Sequence, residues 1–226
     1  MRTIFFLLSS LFFFPEYGKA NAGDQQTEYS FRVESPVPYQ IIQRGNDNHA
    51  WIKVELSSPK KELAGTQLGY RLRIKEQWAE WNKLDGEWNK QRFTSKIKVP
   101  AGGWHTLQVR AVTNSENISQ PVPFGVGEIF VVVGQSNSAN HGEVKQETRT
   151  GLVSAFDYEN GKWQLAKDPQ PGAGGKRGSI MPLLGDALVK QLKVPVGTVA
   201  YGQGGTSVRE WLPKGTQFPN PPTNVR

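Results

Sequence analysis

The chain has 226 residues and a mass of 25.2 kDa, 37% of them hydrophobic and 21% charged, which suits one or two packed domains and excludes a disordered tail. Lys and Arg number 27 against 20 Asp and Glu, a net charge of +7 with no block of five like charges, so the basic balance gives no sign of nucleic-acid binding. The lack of cysteine excludes disulfide frameworks, thiolate catalysis and Cys-ligated zinc, and His49, His105 and His141, without an HExxH pattern, give no metal signature.

Arg2 followed by the apolar run Ile4 to Phe14 is too short to span a bilayer, and Ala20-Asn21-Ala22 is a small-x-small cleavage pattern. Residues 1–22 therefore read as a signal peptide cut after Ala22, and the expected location is secreted or periplasmic, with no membrane attachment after cleavage. From Glu28 to about Val112 the texture is short strands and turns. Tyr70, Leu72 and Ile74 alternate with Arg71, Arg73 and Lys75; Leu107, Val109 and Ala111 alternate with Gln108 and Arg110; Trp51 to Leu56 supplies a third strand. Turns are expected at Asn46-Asp47-Asn48, Asp85-Gly86 and Ala101-Gly102-Gly103. The pattern predicts an immunoglobulin-like β-sandwich over 23–123. Trp78, Trp81, Trp88 and Trp104 lie within it. Such rings either stack on sugars or fill cores, and core or inter-domain packing is the expectation.

Asn114 to Pro123 reads as a linker; the sequon Asn117-Ile118-Ser119 within it matters only in a eukaryotic secretory pathway. Glu128 to Val133 is a continuous apolar run, as expected of a parallel strand covered on both faces. Ser179 to Leu192 has helical spacing, with Ser179 as cap and Pro182 in the first turn, and Pro195 to Tyr201 returns as a strand. Strand, connection, helix and strand open a doubly wound α/β domain over 124–226.

The chemistry concentrates where these strands end. Gly134-Gln135-Ser136-Asn137 follows the first strand, placing Ser136 where α/β sheets present ligands; amides of a following helix would face the same point. The Gly-x-Ser-x-Gly elbow is absent because position 138 is Ser. Gly202-Gln203-Gly204-Gly205-Thr206-Ser207, then Val208 to Trp211, follows the second strand. Gly172 to Ser179 is Gly- and Lys-rich but lacks the phosphate-loop spacing, with Gln170 at the first Gly and Arg177 after Lys176; it reads as a basic loop on the substrate side.

The two strand-end blocks together resemble those of the SGNH hydrolases, most closely the branch named for sialic-acid-specific acetylesterases. That resemblance covers roughly Gly127 to Arg226 and implies an exported carbohydrate O-acetylesterase acting on an acetylated sugar, without metal or organic cofactor. It implies that Ser136 is the nucleophile and lends its own amide to an oxyanion hole. Gly204 is the implied second donor, with Gly205 the other choice; Gln135 and Asn137 complete the catalytic set, Asn137 fixing the turn. The family's Gln-Gly-Glu or Gly-x-Asn-Asp block and its Asp-x-x-His block have no match here. His141, five residues after Ser136, is too local for the family's base and reads as a surface or substrate contact. The chain is accordingly expected to be a truncated reading of a longer enzyme, with the SGNH-type domain incomplete, an exposed hydrophobic edge and no activity by itself. The competing expectation is a non-catalytic exported carbohydrate-binding protein working through its sandwich. Acyl position, sugar and oligomeric state are not encoded in these motifs.

Overall fold

The computed structural model describes residues 29–216, so the expected signal peptide lies outside the described residues. The strands in chain order are β1 (Arg32–Ser35), β2 (Gln40–Gln43), β3 (His49–Ser57), β4 (Leu68–Ile74), β5 (Gln77–Trp78), β6 (Asn82–Leu84), β7 (Gly86–Asn89), β8 (Arg92–Pro100), β9 (Gly102–Ala111), β10 (Val122–Gly134), β11 (Val153–Asp157), β12 (Lys162–Leu165) and β13 (Val196–Gly202), with helix α1 (Met181–Leu192) between β12 and β13.

Two sheets share the strands. One runs β1-β3-β8-β7; the other runs β12-β11-β13-β10-β9-β4-β5, with β2 paired to β10 and β6 to β4. The period-two pattern explains how they meet. In β3, Ala50, Ile52, Val54 and Leu56 are buried; in β8, Phe93, Ile97 and Val99 are, with Ser95 in the remaining inward slot. Leu107, Val109 and Ala111 of β9 and Phe124 and Val126 of β10 join them in one apolar core between the sheets. Ala101 carries the chain from β8 to β9 and so from one sheet to the other.

β10 is the axis of the molecule. Its first half lies antiparallel to β9, its second half parallel to β13, and β2 pairs with Phe124 to Gly127. The expected boundary between 123 and 124 falls inside this strand, and the last two residues of the expected linker, Val122 and Pro123, begin it. β11, α1 and β13 form a parallel crossover, with β13 seated between β10 and β11. The helix begins at Met181 rather than Ser179. The Ser179 hydroxyl still accepts the Met181 amide (3.1 Å) while donating to Asp168 (2.6 Å). Gly185 lets α1 close on β11, because a Cβ there would press into the Val153 side chain.

The expectation of a strand covered on both faces is corrected. α1 covers the face bearing Phe130, Val153, Ala155 and Val196, with Leu188 and Val189 reaching down to it. Side chains alternate across the strand, so Val131 and Val133 point the other way. They are 62% and 49% exposed, and Tyr201 beside Val133 is 47% exposed. Lower on that face Trp163 and Ile41 cover Gly197. Among the described residues a single α-helix flanks this parallel segment, on one side of it.

The tryptophans divide. Trp88 packs against the core with its N–H on the Thr66 carbonyl (2.9 Å), and Trp104 donates to the Gly151 carbonyl (2.8 Å), tying β9 to the segment before β11. Trp78 and Trp81 do not pack as expected: they are half-buried on the outer face, stacked with arginines. Their neighbours Arg71, Arg73 and Arg110 point away from the core, so the rings cover guanidinium groups rather than aliphatic side chains.

Candidate active site

The ends of β10 and β13 coincide, Gly134 lying opposite Gly202. Beyond Gly134 the chain makes a single 3-10 turn, Ser136–Ser138, so the amides of a following α-helix are not what faces this point. Glycine is required at both strand ends because the turn folds back tightly. A Cβ on Gly134 would stand 2.5 Å from the Ser138 hydroxyl, and one on Gly202 would overlap the Ser138 carbonyl. Ser136 is half-buried, Gln135 and Asn137 are exposed, and the Ser136 hydroxyl makes no hydrogen bond among the described residues.

Two loops close around this turn. The Gln203 amide donates to the Gly134 carbonyl (2.9 Å), which ties the start of the Gly204-Gly205 turn to the end of β10. Gly205 adopts φ +80°, open to glycine at no steric cost. The basic loop 172–179 docks from the other side: the Gly174 amide donates to Gly202, the Asn140 amide to Gly174 and the Arg177 amide to Asn140. Neither the Ser136 nor the Gly204 amide is engaged by a backbone carbonyl or side chain among the described residues. That is the state an anion-binding amide needs before its ligand arrives.

Asn140 holds this assembly, and no local pattern in the sequence marks it. It is fully buried; its side-chain amide donates to the Gln170 (2.9 Å) and Ala173 (3.0 Å) carbonyls, and its oxygen accepts the Gln170 amide (2.7 Å). Asp168 does similar work, accepting from the Gln146 and Ser179 amides, the Ser179 hydroxyl and the Gln170 side chain. Asp186 on α1 accepts from Thr148, Arg149 and Thr150. Burial works to raise its pKa, but the bonds from Thr150, Arg149 and Thr148 outweigh it and hold the carboxyl below the ordinary value.

His141 is exposed, with its Nε2 3.8 Å from where a Gly204 Cβ would stand and its ring against Gly175. It makes no hydrogen bond to a carboxylate among the described residues, so it borders the turn without the orienting partner that a catalytic base requires. His49 and His105 stand elsewhere: His49 starts β3, and His105 is buried in the core against Phe124.

At the end of β13 lies a cleft of about 330 Å³ lined by Tyr158, Gly172, Tyr201, Gly202, Gln203, Thr206, Glu210 and Trp211. Ring centroids are 5.1 Å apart for Tyr158–Tyr201 and 5.4 Å for Tyr201–Trp211. Trp211 is pinned by its N–H on the Thr206 hydroxyl (3.1 Å). Ser207 and Glu210 cap the 3-10 turn that carries it. Burial, then the neighbouring Tyr201, raises the Tyr158 pKa, and the phenol donates to the Gly172 carbonyl (2.6 Å). Among the described residues no group of three or more His, Asp or Glu could hold a metal ion.

Residues 126–221 match the carbohydrate esterase, sialic acid-specific acetylesterase family. Both strand ends, the Ser136 turn and the aromatic cleft fall inside the matched segment. The match implies, by resemblance, acetylesterase activity toward an acetylated carbohydrate, and the family suggests an SGNH-type fold for the segment it covers. No curated protein matches the chain.

Proposed function

We propose that this is an exported carbohydrate O-acetylesterase in which Ser136 attacks the acetyl carbonyl. The observation that carries the reading is the coincidence, at paired strand ends, of an unengaged serine hydroxyl with two unengaged amides, Ser136 and Gly204. Attack moves negative charge onto the carbonyl oxygen, and preset amides stabilise it without reorganising. Gln135 and Asn137 flank the nucleophile, and Asn140, just past the turn, ties the chain there to Gln170 and Ala173. The cleft formed by Tyr158, Tyr201 and Trp211 offers ring faces for the sugar. His141 serves as a substrate contact. The N-terminal part, through its two-sheet core, is proposed as an immunoglobulin-like support, and residues 1–22 as the export signal.

A nucleophile without an adjacent base turns over slowly, although oxyanion donors alone retain part of the rate. Hydrolysis of an aryl acetate should therefore be measured with imidazole added as external base, each time against Ser136→Ala at the same imidazole concentration. The expected result is an imidazole-dependent increment carried by the wild type and absent from the variant. Equal rates in both proteins would remove Ser136 from the mechanism. Binding of an acetylated oligosaccharide without that increment would favour the non-catalytic carbohydrate-binding reading.

A further inference from the structure

We propose that the outer face of β4 and β9 binds an anionic, carboxylate-bearing polysaccharide through Arg71, Arg73 and Arg110, held in a ladder with Trp78 and Trp81. The guanidinium of Arg71 lies 4.3 Å from the Trp78 ring centroid and 4.6 Å from that of Trp81; Arg110 lies 4.2 Å from Trp81, and Arg73 5.5 Å from Trp78. Alternation explains the arrangement. Leu68, Tyr70 and Leu72 of β4 turn toward the core, so Arg71 and Arg73 turn outward, about 7 Å apart along the strand. The register sets Arg71 opposite Gln108 and Gly69 opposite Arg110 on β9, which gathers the three cations on one surface.

Two features separate this array from an ordinary solvated face. The first is uncompensated charge. Among the described residues Arg71 and Arg110 have no carboxylate within ion-pair distance, and Arg73 has only Glu76 at 3.5 Å, a side chain 87% exposed. Burial of Arg71, then the like charge of Arg110, works against the Arg71 cation. An incoming anion would relieve that repulsion. The second is preorganisation: Arg71 gives Nε and Nη2 to the Gln108 side-chain oxygen (3.1 and 2.7 Å), and the indoles hold the guanidinium planes. A fixed planar cation loses little freedom when it grips a carboxylate. The choice of a polysaccharide rests on the carbohydrate reading of the Ser136 site; the charge and the geometry do not.

The test is affinity electrophoresis of the whole protein in polygalacturonate, with dextran as neutral polymer and single-stranded DNA as a second polyanion. Wild-type protein should be retarded by polygalacturonate, less so as salt is raised, and not by dextran. Arg110→Gln and Arg73→Gln should each weaken retardation about tenfold. Arg110→Lys should fall between, keeping charge but losing the planar stack. Lys96→Gln, on the exposed face of the other sheet, should bind as wild type. Thermal unfolding of each variant shows whether it folds, and should Arg110→Gln fail, Arg73→Gln decides. Unchanged retardation in the folded arginine variants, equal retardation by dextran, or tighter binding of DNA would each overturn the proposal. Ser136→Ala should bind polygalacturonate as wild type does, so loss of the esterase reading and loss of this one are separate results.

Discussion

The two halves of the large sheet are stabilised by different means. Around β4, β9 and the first half of β10, which face β3 and β8 of the other sheet, sixteen buried side chains fill the space between the two sheets. Around β11, β13 and the second half of β10, the cluster has five buried residues, one of them Val189 of the single helix, and much of the opposite face stays open at Val131, Val133 and Tyr201. What the second region lacks in apolar burial it has in polar clamps: Asn140, Asp168 and Asp186, each at most 5% exposed, tie loops to strand ends and to α1. Apolar packing fixes a body, whereas directional hydrogen bonds fix the path of a loop. The region carrying the candidate chemistry is the one whose loops are fixed.

Substitutions can break or sharpen this contrast. The largest effect is expected from Leu107→Ala in the closed core, a loss of about 2–5 kcal/mol on denaturant unfolding. It should leave the relative hydrogen-exchange protection of β13 and α1 unchanged if both regions unfold together. Asp186→Ala removes the acceptor shared by Thr148, Arg149 and Thr150 and should cost about 2–4 kcal/mol. Asn140→Ala should cost about 1–3 kcal/mol. Its diagnostic mark is faster amide exchange at Gly174 and Arg177, whose bonds run to Gly202 and Asn140. Unchanged exchange there would show that the basic loop holds itself.

The fourth expectation concerns pH. Burial lowers the His105 pKa, with the Pro100 carbonyl opposing, and its Nδ1 has no partner in the core. The unfolded chain therefore takes up the proton at a higher pH than the folded one. The contribution of His105 is fully present above the ordinary imidazole value of 6.5 and declines as pH falls below it. Unfolding curves recorded at falling pH should show this loss, and His105→Gln should flatten it. The smallest effect is expected at the open face: Val131→Thr should change stability by no more than about 0.5 kcal/mol, as judged by the shift in unfolding midpoint. A substantially larger loss would mean that Val131 is covered in solution.

Strands β3, β4 and β9 were readable because a half-buried strand writes its two faces alternately into the sequence. α1 was readable too, apart from its first two residues, since Ser179 caps from one position further out than expected. The turn around Ser136 was legible because an apolar strand stops at a glycine. The clamps were not. Asn140 binds Gln170, thirty positions away, and Asp186 binds Thr150 at a separation of 36. A polar residue whose partners are that distant has no local signature. The stacking of Trp78 and Trp81 on arginines was hidden for a related reason: the alternation marks Arg71 and Arg73 as outward, but not what covers them.

β10 has a consequence for how the molecule could be altered. At thirteen residues it is a rigid ruler of about 43 Å, graduated twice, once against β9 and once against β13. An added or deleted residue near Gly127 would leave Phe124 and Val126 seated while shifting every later graduation by one. Phe130 would turn from the helix side to the open side, and Ser136 would be misaimed with no change to its neighbours in sequence. Grafting a different serine turn onto this scaffold thus requires keeping the count between Val126 and Gly134, whatever residues are placed between them.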